Sequence, residues 1–223
     1  MRIIKPYVYL RKAELNRKKL LNVEYAARLC YKSEGRMTDE PNDKFLNNII
    51  TRQHESVLEH EKVTVYFVVD RGLTHEIVRH RVGSYSQEST RYCNYSGDKF
   101  GNEITVIEPF YYEGNEDGKY DMWKECCESI EEAYINLLKV STPQEARAIL
   151  PNSLKTEIAV TYNLREWRHF FQLRCDSSAH PQMQQVTIPL LLEFKKQMSP
   201  VFDDIKYNEQ FSPEHYGEIK YID

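Results

Sequence analysis

Apolar positions along this 223-residue chain change period from segment to segment, and the period predicts the element. Residues 2–10 are rich in Ile, Val and Tyr and read as an edge strand with Pro6 inside it. Arg11, Lys12, Arg17, Lys18 and Lys19 then mark a solvated basic connector. Val23, Ala26, Ala27 and Cys30 keep helical spacing, with Asn22 as a candidate N-cap. A polar loop spans 33–43, and Pro41 opens a helix through Phe45, Leu46, Ile49 and Ile50. The β-branched and aromatic run over 63–69 is a strong strand signal. Asp70, Arg71 and Gly72 turn the chain into a helix expected to continue through Ile77 and Val78 to Arg81, with Gly83 as its punctuation.

A hydroxyl-rich loop is expected to about residue 102, then a short strand over 104–107 stopped by Pro109, then a turn over 110–118. An amphipathic helix over 119–139 would bury Trp123, Cys126, Ile130, Ala133, Tyr134 and Leu137 on one face. Thr142 and Pro143 form an N-cap and first-turn pair for a short helix carrying Ala146, Ile149 and Leu150. Residues 156–162 read as a strand. Asn163 caps a helix through Trp167, Phe170, Phe171 and Leu173 that ends in Arg174. The helix over 182–198 is apolar over a wide arc and should be buried on more than one side. The tail from Ser199 carries no assignable pattern, and no internal repeat is present.

Several helices mix with non-adjacent strands, with no βαβα rhythm and no GxGxxG turn. The fold class is therefore α+β, a mostly antiparallel sheet packed with helices rather than a Rossmann fold, in a single domain over 1–223. A net charge of -4 argues against a general nucleic-acid or anionic-membrane binder. No apolar run approaches the ~20 residues of a membrane span, and the N-terminus has no leader-like apolar region, so a cytoplasmic protein is expected. The five cysteines are odd in number and contain no CxxC pair. Each reads first as a small buried apolar residue.

The chemistry concentrates in EIVRHRVGSYSQESTRY, residues 76–92. Guanidinium forks, hydroxyls and loop N–H groups together suit a phosphate or a polarised carbonyl, although a solvated basic turn has the same composition. His75 and His80 are five residues apart, about 140° around a helix, so the zinc motif HExxH is absent; His54 and His60 serve no better, and no metal is expected. Cys175 follows Arg174 but has no base beside it, and Ser89 has no evident base partner. What remains is stabilisation of developing negative charge by arginine.

Arg79, His80 and Arg81, then seven residues, then Ser89, with Arg91 and Tyr92 following, resemble the signature of the flavin-dependent thymidylate synthases. The resemblance spans roughly residues 23–185. It implies a homotetramer with FAD sites shared between subunits, making dTMP from dUMP. 5,10-Methylenetetrahydrofolate would supply the carbon and FAD reduced by NADPH the hydride. HESVLEH resembles the family's HExxxEH stretch, which implies His54 and Ser56 near the flavin or folate. Arg79, His80, Arg81, Gln87, Asn163, Arg165 and His169 are implied to contact FAD, Arg79 also reaching the nucleotide. Glu76, Gln87, Glu88, Ser89, Thr90 and Arg91 are implied to hold dUMP. Arg147, in EARAILP, would add a phosphate fork. Arg174, in LRCDSSAHPQMQ, is the implied catalytic residue that polarises the uracil. Ser86 and Gln87 depart from members with Asn and Glu there. Two other classes remain: an RNA-binding module built on the arginines and tyrosines, and a metal hydrolase. Yellow colour on purification separates the first reading from both.

Overall fold

The computed structural model describes residues 1–95, 97, 101–114 and 117–223. The loop expected to about residue 102 and the turn over 110–118 lie partly outside them. Seven strands are present among the described residues: β1 (Arg2–Ile4), β2 (Tyr7–Arg11), β3 (Lys62–Asp70), β4 (Ser84–Gln87), β5 (Thr105–Ile107), β6 (Lys155–Asn163) and β7 (Glu218–Ile222). The main sheet has the order β4-β6-β3-β2-β7, and β1 pairs with β5 in parallel. Three of the four main-sheet pairings are antiparallel; β2 and β7 run parallel. The chain is α+β, with a mixed sheet.

Alternation explains why β6 holds its place. Thr156, Ile158, Val160 and Tyr162 are buried, while Lys155, Glu157, Ala159 and Thr161 face the half-covered side. Seven α-helices are described: α1 (Leu20–Leu29), α2 (Asp43–Thr51), α3 (Arg71–Ile77), α4 (Lys119–Leu138), α5 (Pro143–Ala146), α6 (Leu164–Arg174) and α7 (Pro181–Met198). Trp167, Phe170 and Phe171 of α6 and Phe194 of α7 are fully buried against the sheet. The Trp167 indole N–H donates to the Val63 carbonyl at 3.0 Å, and its ring lies 6.5 Å from Phe67. Each such aromatic contributes roughly 2–3 kcal/mol through burial, so α6 is among the most firmly seated elements. A smaller cluster gathers Ile104, Val106, Tyr134, Ala146 and Leu154 beneath α4. No described helix is long and apolar enough to cross a membrane.

Several local expectations change. Pro6 lies between β1 and β2, so 2–10 is two strands in different sheets. Asn22 lies inside α1, where its amide donates to Glu61 at 2.8 Å. Asn42, not Pro41, starts α2, its Oδ1 accepting from the Phe45 N–H at 3.0 Å. On α4 the buried residues are Cys127 and Tyr134, while Cys126, Ala133 and Leu137 are exposed; this helix leans on the small cluster by a narrow stripe. The unassigned tail supplies β7.

The largest revision is at α3. It ends at Ile77, so Arg79, His80 and Arg81 follow the helix rather than belong to it. Residues 84–87, expected as loop, form β4 along β6. The carbonyls freed at the helix end are taken by tyrosines: the Tyr162 hydroxyl donates to the Ile77 carbonyl at 3.2 Å, and the Tyr85 hydroxyl to that of His80. Gly83 is required by proximity. A Cβ there would meet the Tyr162 ring at 2.3 Å.

Candidate active site

The site arises where two helices leave opposite ends of the paired strands β3 and β6. Asp70 closes β3 and caps α3, its Oδ1 accepting from the Leu73 N–H at 2.8 Å. Asn163 closes β6 and caps α6, its Oδ1 accepting from the Glu166 N–H at 2.8 Å. Lys62 lies opposite Asn163 and Asp70 opposite Lys155, so the two caps are at opposite ends. The eleven residues of α6 cover about 16 Å, enough to carry Arg174 back across the sheet to α3.

There the Arg174 guanidinium meets α3 and the segment after it. Nη1 donates to Glu76 Oε2 at 2.8 Å, Nη2 to the Glu76 carbonyl at 3.0 Å, and Nε to His80 Nε2 at 3.2 Å. A guanidinium has no acceptor, so His80 Nε2 must carry the lone pair. The proton is then on Nδ1, which donates to Glu166 Oε1 at 3.0 Å. Burial, with the positive charge of Arg174 and then of His169 added, pushes His80 down to about 4, so it is neutral near neutral pH. Burial raises the Glu166 carboxyl above the usual range. The Arg174 side chain is 19% exposed, and two of its five N–H bonds are unspent among the described residues. The arrangement is a cation held in one orientation with free donors at an opening.

His169 is exposed, its ring 5.5 Å from that of His80. His80, Glu166 and His169 place potential ligand atoms within 4.8 Å of one another. A metal on His80 Nδ1 would move the proton to Nε2, against the Arg174 Nε–H. The hydrogen-bond arrangement and metal ligation at that nitrogen are thus mutually exclusive. A neighbouring cavity of about 370 Å³ is lined by Glu55, Glu59, Val82, Asn163, Arg165, Arg168 and His169, among others. Arg165 Nη1 donates to Glu59 at 2.6 Å, and Arg168 Nε to Glu55 at 3.1 Å. Arg79 and Arg81 are exposed. His54 is exposed at the head of the turn 55–60 and lines a different cavity; Ser56 is exposed on that turn.

The remaining predicted residues form a second group. Thr90 is buried, and its Oγ1 accepts from Arg147 Nη1 at 3.4 Å. Ser89 accepts the Arg91 N–H on Oγ at 3.3 Å and the Cys93 N–H on its carbonyl at 2.9 Å, shaping a turn that presents Arg91 to solvent. No hydrogen bond or ion pair among the described residues joins Ser89, Thr90, Arg91 or Arg147 to Glu76, His80 or Arg174. Two predicted residues have engagements within the chain. Gln87 donates to the hydroxyls of Thr74 at 3.0 Å and Thr156 at 3.2 Å. Glu88 accepts from Tyr95 at 2.7 Å and Lys155 at 2.8 Å.

Sequence reasoning missed Glu166, Tyr85 and Tyr162. Glu166 had a signal, a Glu three residues after the cap Asn163; the tyrosines had none beyond strand alternation. Cys175 is fully buried and burial pushes its thiol up to about 12, which removes it as a nucleophile. Cys127 is buried too, but Cys30 and Cys126 are exposed, against the expectation for all five.

These features define a class: an α+β protein whose sheet and two capped helices hold a guanidinium in one orientation, with donors left over among the described residues. Residues 14–200 match the family model described as thymidylate synthase complementing protein. The chain belongs to that family. It is 35% identical over 192 residues to a flavin-dependent thymidylate synthase of Geobacter sulfurreducens, covering 82% of this chain and 80% of that one. Proteins of the same description from Corynebacterium efficiens (31%) and Mycobacterium bovis (32%) each cover 82% of this chain and 78% of their own.

Proposed function

We propose that this chain is a flavin-dependent thymidylate synthase, converting dUMP to dTMP with 5,10-methylenetetrahydrofolate as carbon donor and FAD reduced by NADPH as hydride source. The observation that supports it most is Arg174: fixed by Glu76 and His80, with two N–H bonds unspent among the described residues.

Uracil C5 is a poor nucleophile until negative charge builds on the ring nitrogen and carbonyl oxygens. The unspent Arg174 donors would lie against that edge and lower the charge's energy in the transition state. A preorganised donor of this kind is commonly worth about 3 kcal/mol. Glu76 and neutral His80 keep the guanidinium from turning away. Ser89, Thr90, Arg91 and Arg147 would take the phosphate, as hydroxyl and guanidinium donors. Arg79, Arg81, Asn163, Arg165 and His169 would hold FAD, with His54 and Ser56 at the flavin or folate; His80, buried and with both ring nitrogens engaged by Arg174 and Glu166, would act through Arg174 instead. Of the FAD group, Asn163, Arg165 and His169 line one cavity with apolar Val82, an amide, a cation and a ring that suit part of a diphosphate joined to flat rings; Glu55, Glu59 and Glu166 share that wall, so Arg165 would have to leave Glu59 to meet a phosphate. When bound, the reduced flavin supplies the hydride. The two unjoined groups of site residues support a homotetramer in which each site draws on more than one subunit, and the one-family match over 14–200 supports a single catalytic domain.

The test is anaerobic photoreduction of the purified yellow protein followed by dUMP and methylenetetrahydrofolate. dTMP is expected. A colourless protein, or a reduced flavoprotein that forms no dTMP, removes this reading.

A further inference from the structure

The second cavity, lined by His54 and of about 400 Å³, opens between the end of α1 and α2 and is not explained by the site above. Its lining includes Lys32, Arg36, Arg52 and His54, with Tyr31 and Phe45 as aromatic wall, and no carboxylate lines it. The remaining cation there, Arg28, is already satisfied: Nε donates to Glu24 at 2.6 Å, and its guanidinium lies 4.2 Å from the Phe45 ring centre. Lys32, Arg36 and Arg52 differ. All three are exposed and have no ion-pair partner among the described residues. Arg52 is the C-cap of α2 and is stabilised by that helix end, but Arg36 belongs to no α-helix, so helix-end complementation does not account for the set. Three unpaired cations facing one concavity run against the net charge of -4 for the whole chain.

We propose that this cavity binds the oligo-γ-glutamyl tail of the folate cosubstrate, Lys32, Arg36 and Arg52 each facing a carboxylate. The proposal rests on the synthase reading, in which His54 lies at the flavin or the folate. His54 shares the cavity with the three cations, so a folate whose ring system ends at His54 would have its acidic tail among them. The carboxylates would be repeated along a flexible chain, as the dispersed cations require, and p-aminobenzoyl aromatic surface would meet Tyr31.

The experiment compares monoglutamyl with pentaglutamyl methylenetetrahydrofolate in the wild-type protein and in a triple variant, Lys32→Gln with Arg36→Gln and Arg52→Gln. In wild type the pentaglutamyl form should have a KM about tenfold lower, the combined effect of three exposed ion pairs, and the advantage should shrink as salt is raised. In the triple variant the two KM values should converge. A charge-keeping variant, Lys32→Arg with Arg36→Lys and Arg52→Lys, should restore most of the difference. Calorimetric titration with p-aminobenzoyl-penta-γ-glutamate supplies a readout apart from turnover and should show about tenfold weaker binding to the Gln variant. Equal KM values for both folates in wild type, or an advantage undiminished in the Gln variant, would overturn the tail site while leaving the synthase intact. Absence of dTMP from either folate would overturn the synthase reading itself.

Discussion

The contact that organises the site is one hydrogen bond between two groups that are both bases in ordinary chemistry. Arg174 cannot accept, so His80 must, and burial keeps His80 unprotonated down to about pH 4. This has a consequence for stability. In the unfolded chain a histidine protonates near 6.5; in the folded chain His80 does so near 4. Between those values the unfolded state binds the extra proton, so stability falls as pH falls through 6.5 and stops falling near 4. The loss amounts to roughly 2–3 kcal/mol. A His80→Asn variant lacks this titration. Its stability deficit relative to wild type should therefore narrow by that amount between neutral pH and pH 4, read from urea unfolding at both. A constant deficit would mean that His80 protonates normally in the fold. Arg174 yields a second prediction. Arg174→Ala should remain yellow, because the groups that would hold FAD are mostly elsewhere, yet form dTMP on the order of 10²–10³ times more slowly. Full turnover in that variant would remove the role given to the guanidinium.

At the scale of elements, what was legible in the sequence depended on how local the determining physics is. Strand β6 and the cap of α6 were readable because alternation and capping act over a few residues, whereas Asp70 was read as a turn and not as the cap of α3. The pattern after Ile77 misled. The run Val78–Arg79–His80–Arg81 contains no helix breaker, yet the helix stops, because distant tyrosines on β4 and β6 capture its carbonyls and β4 must reach its place beside β6. A motif named the candidate residues, but their engagements were not legible: Gln87 and Glu88 look like ligand groups in one dimension and bond Thr74, Thr156, Tyr95 and Lys155 in three. Gly83 shows the same limit. It looks like a helix punctuation mark, but its lack of a side chain lets β4 pass the Tyr162 ring. Tyr162 is fixed by its bonds to Tyr85 and the Ile77 carbonyl and is 1% exposed, so it has little room to yield. Gly83→Ala should destabilise the fold by about 2–3 kcal/mol, seen as a lower denaturant midpoint. A shift near zero would mean the strand and ring separate without cost. Asn163→Ala tests the other helix: loss of its cap should cost about 1 kcal/mol and loosen Glu166 behind His80.

For the whole molecule, the question is how two groups of residues that share no hydrogen bond or ion pair among the described residues could act on one nucleotide, as proposed. Arg174 is bound to Glu76 and His80; Arg147 is bound to Thr90, beside Ser89 and Arg91. In the proposed oligomer the first group of one subunit would lie against the second group of another, and each interface would build complete sites from incomplete parts. This differs measurably from a site complete within each chain. Arg147→Ala and Arg174→Ala should each be poorly active alone. If they are mixed one to one, dissociated and reassociated, a site drawing Arg147 from one subunit and Arg174 from another is intact when neither donor carries its own substitution. Random assortment makes that about one site in four, so about a quarter of wild-type activity should return. With both arginines supplied by the same chain, every chain in the mixture carries one defect and no activity returns at any ratio. Recovery that tracks the product of the two subunit fractions, peaking at equal amounts, would be the signature of the shared site; a flat baseline would confine catalysis to the single chain.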